Sequence, residues 1–280
     1  QVAATDSPLV AGAEVELNGK QTITDADGRF DMFVEEQGRY VLNIRKHGYQ
    51  TVSKIYDNSL LGGNWTLTRA SVDNVDPALV IDVVNEREPG DCPGALSGRR
   101  GRYQTGQGEK GGSDQREPGR SGQRDCGPGI RVRIPAGGLV DQDGNLPTGN
   151  VNIALVTINT EAPDGMPGDY TARTSGGTTV VMETFGAGFV DIFAAGKTYN
   201  LAPGVEAEIT IPIVQPVFAT GATIPFSIPL LSFDESLGIW QEVGKAQRDG
   251  DTYKGFVSHF SAINMDLLKQ NQACIRLETV

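Results

Sequence analysis

Ala207-Glu208-Ile209-Thr210-Ile211-Pro212-Ile213 is the stretch that decides the fold class. Apolar side chains stand at every second position, as in a strand with one face in a core and the other in water. The same period recurs at Val15/Leu17, Leu42/Ile44, Val132/Ile134 and Val151/Ile153/Leu155. Asn18-Gly19, Asp27-Gly28, Asp143-Gly144 and Asp249-Gly250 punctuate these runs with residues suited to tight hairpins. Helical spacing is scarce, and residues 265–270 make the best helix candidate. The sequence therefore predicts an all-β chain: two antiparallel β-sandwich domains with a Gly/Arg-rich loop between them.

The size and composition agree. A chain of 280 residues has room for two ordinary domains. Its 38% hydrophobic content can fill a core despite 36 glycines and 15 prolines, which excludes global disorder. A net charge of −11 argues against nucleic acid and against anionic lipid, both of which attract basic surfaces. No apolar run approaches the roughly 18 residues of a membrane helix, so no membrane insertion is expected within this chain. No charged-then-apolar leader opens it, so an export signal is expected upstream of Gln1 or already removed.

Character changes between residues 88 and 129, where glycines mix with Arg99, Arg100, Arg102, Arg116, Arg120 and Arg124 and almost nothing is apolar. Such a segment cannot offset its ordering entropy by burial. It reads as an exposed loop, with a basic contact for an acidic partner as the sharper alternative. Cys92 and Cys126 bracket it, and a disulfide between them would tie the loop at its neck. In the loop-entropy account a closure of that length is worth roughly 3–4 kcal/mol, and it requires an oxidising compartment. Cys274 is left over, and no C-x-x-C pair or His/Cys cluster suggests zinc.

The segment Pro8–Val15, the run Thr24-Asp25-Ala26-Asp27-Gly28-Arg29-Phe30, and Gly38-Arg39-Tyr40-Val41-Leu42 followed by His47-Gly48-Tyr49 resemble the carboxypeptidase regulatory-like (transthyretin-like) domain. Phe30, Tyr40 and Tyr49 are its expected core aromatics. The resemblance implies a non-catalytic spacer beside other extracellular domains. Such domains open with a full strand, of which only Val2-Ala3-Ala4 is present, so the natural protein is expected to extend upstream. Farther on, Ile130-Arg131-Val132-Arg133-Ile134-Pro135-Ala136-Gly137, Phe233-Asp234, Trp240 and Val257-Ser258-His259-Phe260-Ser261 resemble the β-sandwich domains of ankyrins, netrin receptors, cartilage intermediate layer proteins and bacterial surface proteins.

In relatives of that second fold a His-Phe-Ser tripeptide cleaves its own backbone. Carried over, Ser261 would attack the Phe260 carbonyl with His259 as base, given a strained peptide and a placed hydroxyl. The cut would leave pieces of about 260 and 20 residues. Alternation offers a simpler account, in which Val257, His259 and Ser261 share one face of an ordinary strand and His259 is half-buried and satisfied. A weaker candidate is calcium, at Asp25 and Asp27 or at Asp141 and Asp143. However, the later ligand positions of a calcium loop are missing, and Asp-x-Asp-Gly is a common hairpin turn. Gly196-Lys197-Thr198 lacks the upstream glycine of a phosphate loop, and Gly186-Ala187-Gly188 lacks a third glycine. Trp65, beside a glycosylation sequon at Asn64, and Trp240 are each more readily core residues than sugar platforms.

These readings divide the chain into a regulatory-like sandwich at 1–75, a linker with the Gly/Arg-rich loop at 76–129, a larger sandwich at 130–268 and a tail at 269–280. The tail looks like the lead-in to a further domain in which Cys274 finds its partner. The expected function is a non-catalytic structural or adhesive module of a secreted, periplasmic or cell-surface protein. Its partners would be other surface proteins or glycans, with self-assembly through exposed strand edges as a further route. No cofactor is expected.

Overall fold

The computed structural model describes residues 1–35, 38–57, 63–85, 129–160, 162, 165–214 and 224–269. Cys92, Cys126 and Cys274, with their expected disulfide, and the Gly/Arg-rich loop all lie outside these residues. Among the described residues every regular element is a strand.

The first unit contains β1 (Val2–Ala4), β2 (Glu14–Leu17), β3 (Lys20–Ile23), β4 (Arg39–Arg45), β5 (Val52–Asp57) and β6 (Trp65–Leu67). An antiparallel sheet runs in the order β3-β2-β4-β5, while β1 and β6 pair in parallel. The two share one core, built from Val15, Leu17, Tyr40, Leu42 and Ile44 on one side and Val2, Trp65 and Leu67 on the other. Phe30 and Tyr49 are partly buried against it. Asn18 (φ 48°) and Gly19 (φ 81°) supply the two left-handed positions of the β2–β3 hairpin, as their dipeptide predicted.

The remaining strands join one thirteen-stranded sheet. They are β7 (Ser71–Val75), β8 (Ile81–Val84), β9 (Arg131–Ile134), β10 (Leu139–Asp141), β11 (Val151–Ile158), β12 (Thr171–Arg173) and β13 (Thr179–Ala194). They continue with β14 (Lys197–Leu201), β15 (Ala207–Pro212), β16 (Ser227–Asp234), β17 (Ile239–Asp249), β18 (Thr252–Val257) and β19 (Ala262–Lys269). The main path is β10-β14-β13-β19-β16-β17-β18-β15-β9-β8. Strands β11 and β12 attach to β13, and β7 attaches to β11. The deciding stretch is β15, which buries Ala207, Ile209 and Ile211 between β9 and β18.

Strands β11, β13 and β16 bury side chains on both faces. Ile153, Leu155, Val190, Ile192 and Leu230 point into one apolar cluster, and Ala154, Val156, Phe189, Leu231 and Phe233 into a second. Trp240 anchors the second cluster: it is fully buried, donates Nε1 to the Pro167 carbonyl at 3.1 Å and packs edge-on against Phe233. Trp65 is buried as well, so both tryptophans are core residues.

Two sequence expectations change. The helix proposed at 265–270 is instead strand, since β19 runs through Lys269 and pairs with both β13 and β16; Gln270 lies outside the described residues. A strand buried on both faces loses its period-two signature and reads as an apolar run of ambiguous type. In addition, β7 pairs with β11 and β8 with β9, so strands of the large sheet begin at Ser71 rather than at 130. The sequence signal there is weak because Val72 of β7 is half exposed.

The units meet along the outer face of β4. Asn43 is 1% exposed although alternation assigns it to solvent, because its Nδ2 donates to the Glu235 carbonyl at 2.8 Å. Gly238 comes so close to β4 and β5 that a Cβ there would lie 2.2 Å from Ile55 Cδ1, and its φ is 65°. Only glycine meets both conditions.

Candidate functional site

Strand β18 ends at Val257 and β19 starts at Ala262, so His259, Phe260 and Ser261 occupy a bend between them. This corrects the ordinary-strand reading, in which His259 was half-buried: the side chain is exposed. The bend is irregular because β18 and β19 are not neighbours. They flank the β16–β17 hairpin, and the chain must pass from one side of it to the other. Residues in such a link have no ladder partner, so side chains must satisfy their backbone.

Asn200, on β14, does this for Phe260. Its Oδ1 accepts the Phe260 N–H at 2.8 Å and its Nδ2 donates to the Phe260 carbonyl at 3.2 Å. The same Oδ1 accepts the Leu201 N–H at 2.8 Å, which fixes the rotation of the amide. Ser232, on β16 and 3% exposed, sits between the other two members of the tripeptide. Its Oγ lies 2.7 Å from His259 Nε2 and 2.8 Å from Ser261 Oγ. Ser261 Oγ also reaches the carbonyl of Ala262 at 2.9 Å. The imidazole thus connects to Ser261 through Ser232. Neither Ser232 nor Asn200 was visible as a site residue in the sequence. They lie 27 and 60 residues from their partners, and only the sheet order brings them in.

Phe260 and Ser261 line the floor of a cleft of about 520 Å³ between the units, walled by Arg45, His47, Asp191 and Glu235. His47 Nδ1 lies 2.9 Å from Asp191 Oδ2, and the ring stacks on Phe193 with centroids 4.5 Å apart. The Asp191 hydrogen bond raises the His47 pKa above its ordinary value. Arg45 bridges Glu16 at 2.8 Å and Glu235 at 2.6 Å, tying the two units together.

The calcium candidates are engaged in turns. Asp25 Oδ1 accepts the N–H groups of Asp27 and Arg29, both at 2.8 Å. Gly28 follows at φ 65°, where a Cβ would strike the Val2 carbonyl oxygen. Asp141 Oδ1 caps Asp143 and Asn145 in the same way, and Lys197 Nζ meets Asp141 Oδ2 at 2.5 Å. The Lys197 contact and the Asn145 amide bring the Asp141 pKa down to about 2. Both motifs are therefore built as turns whose first carboxylate already has its partners. Among the described residues no three His, Cys, Asp or Glu side chains gather as a metal-binding group. No helix among them is long and apolar enough to cross a membrane.

Comparison of the chain with protein-family models, with curated proteins and with solved structures returned no match.

Proposed function

We propose that the chain is a structural or adhesive module of a secreted or cell-surface multidomain protein, holding its loops on a stiff body for protein or glycan partners. The observation that carries this reading is the polar seam between the two units. Arg45 joins Glu16 to Glu235, Asn43 holds the Glu235 carbonyl, and Gln50 Nε2 donates to the Gly165 carbonyl at 2.9 Å. The Gly168 N–H adds a bond to the Ser53 carbonyl at 3.1 Å. These contacts, with the close approach of Gly238 to Ile55 and Val41, join the units at several separate points, so that relative motion requires several of them to open together. Small-angle scattering on the whole chain tests it. A single rigid shape that loosens in Arg45→Ala supports the module. A wild-type curve that requires freely moving units overturns it.

A second reading is favoured by the bend at 258–261. The His259, Ser232 and Ser261 chain next to an Asn200-held carbonyl has the parts for one self-cleavage between Phe260 and Ser261. An intact mass under denaturing conditions decides it: two masses summing to the chain plus one water support cleavage, and a single mass near 29.8 kDa removes it.

A further inference from the structure

Resting on the self-cleavage reading, we propose that Ser232 is the proton relay of that reaction and Asn200 the group that positions and polarises the reacting carbonyl. A direct transfer from Ser261 to His259 is not what the geometry provides, because the imidazole hydrogen-bonds Ser232 Oγ at 2.7 Å and that oxygen meets Ser261 Oγ at 2.8 Å. A hydroxyl has one proton to donate and two lone pairs to accept with. The Ser261 proton rests on the Ala262 carbonyl at 2.9 Å, and rotation of that hydroxyl turns it to Ser232, which can then take it while passing its own to an unprotonated His259 Nε2. Its backbone is fixed between β17 and β19 by pairing with Gln241 and Ile263, so the relay is held on a rigid element.

Asn200 acts on the other side of the bond. Its oxygen fixes the Phe260 N–H and its Nδ2 faces the carbonyl oxygen, where negative charge develops during attack. The 3.2 Å ground-state separation leaves room for the contact to shorten as the oxygen becomes anionic.

Ser261 Oγ bonds to the Phe260 carbonyl carbon while its proton moves to Ser232 and the Ser232 proton moves to His259. The bond from that carbon to the Ser261 nitrogen then breaks, and His259 returns a proton to the departing amine. An ester now joins Phe260 to Ser261 Oγ. Water hydrolyses it, giving a Phe260 carboxyl, a free Ser261 amine and a restored hydroxyl.

A purely structural role for either residue makes different predictions. If Ser232 only fills a hydrogen-bond site, its loss alters stability and leaves the pH profile of cleavage in place. If Asn200 only anchors the bend, an isostere that keeps the bond to the Phe260 N–H suffices.

The experiment follows splitting of the whole chain by intact mass, with and without hydroxylamine to intercept the ester, across pH 5 to 9. We expect the wild type to split after Phe260. Ser232→Ala should slow this by roughly 10²–10⁴-fold and flatten its pH dependence, with partial recovery in Ser232→Thr, which restores a hydroxyl. Asn200→Asp keeps the acceptor oxygen and removes the donor, so it should slow splitting by roughly 10²–10³-fold without moving the pH profile. Circular dichroism and a thermal melt of each variant separate these effects from misfolding, with Ser232→Cys in place of a Ser232→Ala that does not fold and Asn200→Ser in place of an Asn200→Asp that does not. If the wild type splits and Ser232→Ala and Asn200→Asp split at the wild-type rate, the relay and the polariser are overturned while self-cleavage stands. If the wild type stays whole even with hydroxylamine, both fall.

Discussion

The two histidines of the chain, His47 in the cleft wall and His259 at the bend that supplies Phe260 and Ser261 to the cleft, are set up for opposite work. His47 faces a carboxylate, Asp191, and lies flat on Phe193, so its environment favours the charged form and uses it to hold two units together. His259 faces a neutral hydroxyl, Ser232, with its ring exposed at the bend. The lesson is that the partner, rather than the residue type, decides between a clasp and a base.

The largest difference between the two histidines is expected from a crossed pair of substitutions. His259→Ala should lower splitting at Phe260 by at least about 100-fold, whereas His47→Ala should leave its rate within about twofold. Equal losses in both would mean that the cleft wall and the bend act as one unit and the contrast is false. Wild-type chain and the His259 and His47 variants, incubated together and weighed by mass spectrometry, give the answer.

The second test strikes the seam that His47 helps to close. Gly238→Ala places a methyl 2.2 Å from Ile55 Cδ1 at a positive φ. We expect a loss of about 2–4 kcal/mol in urea unfolding, with scattering that reports separated units. A change below about 0.5 kcal/mol would show that the seam yields easily and that a single His47 pair contributes little to it.

A smaller effect is expected at Asp266, a third titratable group lying wholly inside the sheet on β19. Burial holds its pKa well above the usual carboxylate value, Glu183 adds to this, and the Thr184 hydroxyl and Phe185 amide act in the opposite direction. Its Oδ1 and the Oδ1 of Asn264 are both buried without a hydrogen-bond partner. A carboxyl with a raised folded pKa favours the folded state most below its unfolded value near 4, and the penalty grows as pH rises towards the folded value. Asp266→Asn keeps one acceptor oxygen for the Asn264 Nδ2 bond at 2.8 Å and removes the buried titration, so it should raise the Tm more at pH 8 than at pH 4. A gain independent of pH would show that the carboxyl does not titrate differently on folding.

The smallest effect belongs to His47 itself, which is 41% exposed and screened by solvent. Its pKa is raised chiefly by Asp191 and also by Glu14, while burial and Lys46 pull it down. The clasp therefore stabilises fully below the unfolded value near 6.5 and fades as pH rises through the folded value. Wild type and His47→Gln should differ in Tm at pH 5.5 and converge by pH 8.5. A difference that widens with pH would reverse the assignment.

The strands with one wet face were readable from sequence because alternation survives there, as in β15 and β2. Strand β19 was not, since Ile263, Asn264, Met265 and Asp266 are all buried and no period remains. Asn43, between the alternating Leu42 and Ile44, is buried as well, because the large sheet covers that face of β4. The tripeptide His259-Phe260-Ser261 stood out by resemblance, but its bend and its two helpers depend on a crossing between strands that are distant in the sheet. Asn200 and Ser232 are unremarkable residues locally, so sheet order is the signal that finds them.

Strand β19 also has a mechanical meaning. It lies between β13 and β16 and supplies Ile263 and Met265 to the core. Were the chain severed before Ser261, β19 would hold the downstream piece through its ladders with β13 and β16. Tension pulling along the strand loads both ladders at once, so such a break would remain silent at rest and give way only under load.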